Sequence, residues 1–300
     1  MRFESASEFL KSAAKAVTIC GMSGVGKTTL AAKVPSEAWF HFSADYRIGT
    51  RYLAEPILDN VKREAMKVPF LADLLRSDSI YINHNMTVDN LGPISTFLGK
   101  LGRKDVDGLS LEEFKRRQAL HRRAEIAAML DVPYFIERSR QIYGYENFLC
   151  DTSGSICEVV DFSGPVDPVA AMLAEHTLLL YIEATDSLMD QLIQRTESDP
   201  KPLYFQEPFL DEHLAIYLTE RGLETAGEIE PDDFARWIFP RLVAHRRPLY
   251  ERLAGAIGYT VTVAEVEKVR DETDFLELAA NAIESRNESL RRLGDKLANG

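Results

Sequence analysis

The chain has 300 residues, of which 45% are hydrophobic and 27% charged, a composition typical of a globular protein with enough length for one large α/β domain. Its formal net charge of −12 argues against a nucleic-acid partner or an acidic membrane surface, because neutralising phosphates requires a basic face. No apolar run approaches the ~20 residues of a membrane span, and the N-terminus carries charges where a signal peptide would be apolar, so we expect a cytoplasmic protein.

The first predicted element is an amphipathic helix over residues 3–16, with Phe3, Phe9 and Leu10 as its apolar contacts. A short apolar strand over residues 17–20 comes next, and it leads directly into a glycine-rich segment. A helix over residues 29–34 is predicted after that segment, ending before a proline. This order of strand, glycine-rich loop and helix is the context that a phosphate-binding loop requires.

The glycine-rich segment, residues 21–28, matches the complete phosphate-loop (Walker A) pattern G-x-x-x-x-G-K-[ST]. Backbone N–H groups at the start of a helix would bind the phosphates, and side chains at the glycine positions would block that approach. Lys27 is predicted to reach the β- and γ-phosphates, and the Thr28 hydroxyl to ligate Mg²⁺. The predicted nucleotide-binding residues are Gly21, Met22, Ser23, Gly24, Val25, Gly26, Lys27, Thr28 and Thr29.

Four further strands are predicted from short apolar or aromatic runs. They cover residues 38–43, 147–150, 177–182 and 259–263. Because helical segments separate them, they predict a parallel five-stranded sheet with ligands at the carboxyl ends of the strands. Gly21, Asp45, Asp151 and Glu183 fall at such ends.

Between the second and third predicted strands lie about a hundred residues with helical patterns only. A capping box at Ser110–Glu113 begins a helix that runs towards Leu130. Shorter helices are predicted over 56–66, 69–76 and 93–101, and a long one over 231–257. We interpret the chain as a single domain, 1–300, in which the helical insertion 51–146 forms the substrate and lid region. The basic stretch 115–123 is interpreted as a solvated helix face in preference to a docking site for phosphates.

The residue after Asp151 distinguishes among classes of nucleotide-binding proteins. Motor-like and transporter-like ATPases typically have a glutamate there, whereas this chain has Thr152. The sequence from Asp151 to Gly154 fits the D-x-x-G pattern of GTPases, but no [NT]-K-x-D guanine-reading motif is present. The remaining pattern resembles the small-molecule kinase group of P-loop proteins, which contains nucleoside monophosphate, shikimate and gluconate kinases. The resemblance implies a three-layer α/β P-loop fold and the cofactors ATP and Mg²⁺.

The resemblance also implies roles for individual residues. It places a substrate-activating acidic residue after the second strand, at Asp45, and a substrate-binding loop after the third, at 151–155. A helix leading to a basic lid is expected over 188–201, where turn residues from 194 onward interrupt the helix and Arg195 supplies a catalytic cation. Thr28 would bind Mg²⁺ directly and Asp151 through water. Asp45 would orient the acceptor hydroxyl or accept its proton; capping a helix that begins near Tyr46 is the alternative.

Three functions remain open at this point. The first is an ATP-dependent kinase that phosphorylates an unidentified small molecule. The second is a regulatory ATPase whose nucleotide state controls a partner protein. The third is prenyl transfer to tRNA, because Ser43-Ala44-Asp45 is similar to the segment after the second strand of tRNA isopentenyltransferases, although the acidic net charge disfavours it.

Overall fold

The structure, a computed structural model, describes residue 3 and the ranges 5–162 and 166–298, with side chains as far as residue 292. The chain divides into two compact units. The sheet unit comprises Met1–Ala44, Met129–Leu192 and Val243–Gly300, and the helical unit comprises Asp45–Ala128 and Ile193–Leu242.

The sheet unit is built on five strands that all run parallel, in the order β2-β3-β1-β4-β5. The strands are β1 (Ala16–Cys20), β2 (Trp39–Ser43), β3 (Asn147–Asp151), β4 (Leu178–Glu183) and β5 (Gly258–Thr262). The predicted five-stranded parallel sheet is therefore confirmed, with strand ends that differ from the predicted ones by at most one residue. Because β1 lies at the centre of the sheet, all five of its residues are buried, as parallel strands covered on both faces require.

Helices account for most of the remaining chain. They are α1 (Ala6–Lys11), α2 (Lys27–Ala31), α3 (Ala44–Arg47), α4 (Ala54–Ala65), α5 (Pro69–Arg76), α6 (Gly92–Leu98), α7 (Leu111–Leu130), α8 (Val132–Tyr143), α9 (Ile156–Val159), α10 (Pro168–His176), α11 (Asp186–Ser198), α12 (Glu207–Arg221), α13 (Pro231–Ile257), α14 (Val263–Val266) and α15 (Glu272–Ala298). None of the helices in the described ranges is both long and apolar enough to cross a membrane.

The first helix is shorter than its sequence pattern predicts. The expected range was 3–16, whereas α1 ends at Lys11, and residue 4 of that range lies outside the described residues. Phe3 and Phe9 are buried with their ring centroids 5.2 Å apart, but Leu10 is 46% exposed and was wrongly assigned to the apolar face. The strand β1 begins at Ala16, the last residue that the helical pattern had included.

The segment after β4 also differs from its prediction. Turn residues were expected to interrupt the helix from residue 194, but α11 continues through Arg195 to Ser198. The reason is that residues 194–198 contain neither glycine nor proline, and the first residue that opposes a helix is Pro200, which restricts the backbone of Asp199 before it. Arg195 therefore lies in the last turn of a regular helix and is exposed.

The helical unit has its own apolar interior, in two clusters. The first cluster is built on Leu101, Phe114, Phe205, Phe209, Leu210, Leu214, Tyr217, Ile229, Phe234, Ile238 and Leu242. The second is built on Ile48, Leu53, Ile57, Met86, Ile94, Phe97, Leu98, Ala124 and Ala128. Between them, the Gln118 side chain of α7 accepts a hydrogen bond from Phe205 N at 2.9 Å and donates one to Leu203 O at 3.2 Å. The segment from 203 to 205 is thus held by α7 although it has no regular structure.

The basic stretch at 115–123 pairs with carboxylates inside the helical unit. Lys115 Nζ lies 2.6 Å from Asp211 Oδ1, and the Glu113 carboxylate accepts hydrogen bonds from Arg116 and Arg117. These contacts, with the Arg116 hydrogen bond the largest cause, lower the pKa of Glu113 to about 2. Arg117 is itself buried. The interpretation as a solvated face was therefore wrong for Arg117, whereas Arg116 is exposed and Lys115 is partly exposed.

Candidate nucleotide-binding site

The phosphate loop connects the end of β1 to the start of α2. Gly21, Gly24 and Gly26 have φ angles of +150°, +90° and +96°. Gly26 immediately precedes α2 in the left-handed conformation, with ψ of +15°. Residues with a Cβ rarely adopt this conformation, so glycine is required there even though no neighbouring atom crowds the position. The chain thus turns from β1 into α2 through three glycines with positive φ.

Lys27, the first residue of α2, points back into the loop. Its side chain is only 9% exposed, and Nζ donates hydrogen bonds to Gly21 O at 2.9 Å and to Met22 O at 3.3 Å. An ammonium group carries three N–H donors, so these two bonds leave one donor over. The loop carbonyls therefore hold a compact positive charge within the loop itself.

Thr28 and Asp151 form the second part of the site. Thr28 Oγ1 donates a hydrogen bond of 2.8 Å to Asp151 Oδ2. The contact follows from the strand order, because β3 pairs directly with β1 and Asp151 lies opposite Ile19. Asp151 is only 7% exposed, and its Oδ1 is buried with no hydrogen-bond partner among the residues that the structure describes.

The unpaired oxygen of Asp151 is the observation that tests whether a metal ion fits. Buried polar atoms are nearly always hydrogen-bonded, so an unpaired carboxylate oxygen indicates a water or ion as its partner. A hydroxyl and a carboxylate are hard oxygen ligands, and Mg²⁺ is commonly held by one or two such groups together with water and substrate phosphates. The residues Thr28 and Asp151 therefore fit Mg²⁺.

The loop that follows β3 packs closely against the phosphate loop. A Cβ atom on Gly154 would lie 2.1 Å from Ser23 Oγ and 2.9 Å from the Ser23 backbone nitrogen, so only glycine fits at this approach. The polar side chains of Thr152, Ser153 and Ser155 are buried around it. The predicted substrate-binding loop is thus fixed against the loop predicted to bind phosphates.

Two residues of α13 contact these loops, and the sequence analysis missed both. Tyr250 Oη donates to Gly21 O at 3.0 Å, and Arg246 Nη1 donates to Gly154 O at 3.1 Å. Arg246 also forms a buried ion pair with Glu158 of α9, with Nε 2.8 Å from Oε2. The available signal was the spacing of four residues between Arg246 and Tyr250, which puts them on one face of the predicted helix 231–257.

Cys20, directly before the phosphate loop, has a packing role. Burial raises the pKa of its thiol to about 12, and the nearby Lys27 only partly opposes this shift. Burial also raises the pKa of Cys150 on β3. Both thiols therefore stay protonated at neutral pH and do not act as nucleophiles.

The structure brings together some of the predicted site residues within the sheet unit. These are the residues of the phosphate loop with Thr29, and Asp151. Asp45 and Arg195 belong to the helical unit. Asp45 is half-buried in the first turn of α3, which begins at Ala44 and not near Tyr46 as the capping alternative supposed.

No family model matches the chain, and a search of curated proteins finds no match. Among solved structures, a shikimate kinase from Bacteroides thetaiotaomicron is similar over 94% of this chain and 98% of its own, at 14% sequence identity and a TM-score of 0.34. A TM-score this low carries no argument about the site. The functional conclusion therefore depends on the residues and contacts described above.

Proposed function

We propose that the protein binds ATP with Mg²⁺ at the phosphate loop and transfers the γ-phosphoryl group to a small molecule. The observation that carries the proposal is the hydrogen bond between Thr28, which directly follows Lys27, and Asp151 at the end of β3, whose Oδ1 has no hydrogen-bond partner among the described residues. The proposal includes a three-layer P-loop fold of the kinase-like type, with the phosphate-loop strand β1 at its centre.

Phosphate binding would use the loop backbone and Lys27. The N–H groups of residues 21–29 would bind the phosphate oxygens, while Lys27 exchanges its carbonyl partners for the β- and γ-phosphates. Mg²⁺ would be held by the Thr28 hydroxyl directly and by Asp151 through water. The bound ion would neutralise negative charge that develops on the phosphates during transfer.

The transfer step would use Asp45 and Arg195. An acceptor oxygen bonds to the γ-phosphorus while the bond from that phosphorus to the β,γ-bridging oxygen breaks, leaving ADP. The acceptor's proton passes to the Asp45 carboxylate, and Arg195 would stabilise the charge on the transferring group. The helical insertion 51–146 would select the acceptor.

Replacing Asp151 by asparagine is expected to weaken Mg²⁺ binding in the nucleotide complex by about 10- to 100-fold, because an outer-shell carboxylate is lost. Asparagine keeps an oxygen that can accept the Thr28 hydrogen bond, so the fold should be retained. The measurement is the Mg²⁺ concentration that supports half-maximal ATP binding. Asp190→Asn, an exposed carboxylate in the sheet unit, is the matched control and should behave as wild type. An unchanged Mg²⁺ requirement in Asp151→Asn would remove Asp151 from the proposed site.

The direct test of the proposed activity is incubation with ATP, Mg²⁺ and a panel of hydroxyl-bearing metabolites, with phosphorylated products detected by mass spectrometry. We expect transfer to one class of acceptor and a lower kcat in Asp45→Asn. ATP binding without transfer to any acceptor, together with a partner protein whose retention depends on nucleotide, would favour the regulatory ATPase. Release of pyrophosphate that depends on tRNA would favour prenyl transfer.

A further inference from the structure

The Gly21 carbonyl receives two hydrogen bonds, and the two donors differ in kind. Lys27 Nζ donates at 2.9 Å from within the phosphate loop, and Tyr250 Oη donates at 3.0 Å from α13. Gly21 and Tyr250 are both buried. Lys27 is therefore a donor that would also bind the nucleotide, whereas Tyr250 is a donor from a separate helix, α13.

Tyr250 is fixed in place independently of the loop. Its ring stacks on Tyr181 of β4, with centroids 5.3 Å apart and an angle of 4° between the planes. One turn earlier on the same helix face, Arg246 binds Gly154 O and the buried carboxylate of Glu158. The hydroxyl of Tyr250 therefore reaches Gly21 from a rigid support.

A second donor to Gly21 O is important because an N–H group of Lys27 cannot donate to a loop carbonyl and to a phosphate oxygen at the same time. Lys27 has one N–H donor left over, but the β- and γ-phosphates together need two, so at least one of its carbonyl bonds must be given up. When that bond is the one to Gly21 O, the carbonyl loses its donor within the loop. A buried carbonyl without any donor carries a full desolvation penalty, which would be subtracted from the affinity for the nucleotide. With Tyr250 present, the Gly21 carbonyl keeps one donor and stays in position.

We propose that Tyr250 is a positioning residue for nucleotide binding, which keeps the Gly21 carbonyl hydrogen-bonded when Lys27 turns to the phosphates. The inference rests on the proposed function, because it requires that the loop binds a triphosphate. Tyr250 lies on α13, outside the phosphate-loop motif at 21–28, so the inference adds a residue from a distant segment to the proposed nucleotide-binding site.

The test is Tyr250→Phe, which removes only the hydroxyl and keeps the stacking on Tyr181. Without nucleotide, Lys27 still serves Gly21 O, so the thermal unfolding midpoint should stay close to that of wild type. With nucleotide, the carbonyl loses its remaining donor, so the Kd for MgATP should rise about tenfold, the scale of one buried hydrogen bond. A role in folding alone would give the opposite result, a lower midpoint with an unchanged Kd.

The matched control is Tyr259→Phe, which removes a hydroxyl that donates to Phe3 O at 3.5 Å, also within the sheet unit. Its Kd for MgATP should equal that of wild type. All Kd values are measured well below the lowest unfolding midpoint of the set, so that a less stable variant is still assayed in its folded state.

The outcomes separate this inference from the proposed function. If wild type binds MgATP and Tyr250→Phe binds it with the same Kd, the role of Tyr250 is overturned and the proposed function stands. If wild type itself does not bind MgATP, the proposed function is overturned, and the role of Tyr250 falls with it. A tenfold loss confined to Tyr250→Phe supports both.

Discussion

Replacing Lys27 by methionine is expected to lower ATP-dependent phosphoryl transfer by about 100- to 1000-fold, the scale for removing one preorganised donor to developing negative charge. Methionine has nearly the same length as lysine and tolerates burial, but it provides neither the charge nor the N–H donors. Lys27 is 9% exposed inside the loop, so no other cation can take its place without rebuilding that loop. The measurement is the initial rate of ADP formation in the presence of the acceptor.

The folded state should survive this change. The Gly21 carbonyl still receives the hydrogen bond from Tyr250, so the loss of the Lys27 ammonium removes a needed donor from Met22 O but not from Gly21 O. Lys33→Met, an exposed lysine beyond the end of α2, is the matched control and should retain the wild-type rate. A Lys27→Met variant that transfers phosphate at the wild-type rate would show that the loop does not act on a triphosphate.

Replacing Arg246 by methionine is expected to lower the free energy of unfolding by about 3–5 kcal/mol, because the buried Glu158 carboxylate would lose the guanidinium beside it. Glu158 is 0% exposed, and Arg246 is buried beside it with Nε 2.8 Å from Oε2. Burial lowers the pKa of the Arg246 guanidinium, but attraction to Glu158 more than offsets this and the net shift is upward. The Arg246 guanidinium is therefore charged at neutral pH, and urea unfolding at pH 7 measures the loss.

Two further variants separate the buried pair from an ordinary surface contact. Arg247→Met removes the neighbouring arginine, whose partners Asp186 and Glu251 are exposed, and should cost less than about 1 kcal/mol. Adding Glu158→Leu to Arg246→Met removes the buried carboxylate as well and should recover much of the lost stability. If Arg246→Met is no more costly than Arg247→Met, the buried pair does not stabilise the sheet unit.

The parts of this molecule that sequence predicts are those encoded by neighbouring residues. The phosphate loop at 21–28 is specified by a contiguous motif, and the strands by short apolar runs between helical segments. The long helix predicted over about 231–257 agrees with α13, which begins at a proline and ends before a glycine. The pairing of β3 with β1, which brings Asp151 to Thr28, is consistent with the expected meeting of strand ends at one edge of the sheet.

The remaining features depend on contacts between distant segments, which no local pattern contains. Tyr250 reaches Gly21 across 229 positions, and Arg246 reaches Gly154 across 92. Likewise, Lys115 was interpreted as solvated because its partner Asp211 lies on another helix. Charged and aromatic residues on a helix have the same sequence pattern whether they face water or a neighbouring loop, so only the packing of α7 and α13 distinguishes the two cases.

The measurement that most directly tests the central claim is calorimetric titration of ATP into the wild-type protein, with Mg²⁺ and again with EDTA in place of Mg²⁺, alongside Lys27→Met. The account predicts saturable binding of one ATP per chain, weaker without Mg²⁺ and lost in Lys27→Met. Absence of saturable binding to wild type with Mg²⁺, or equal binding by Lys27→Met, would contradict it.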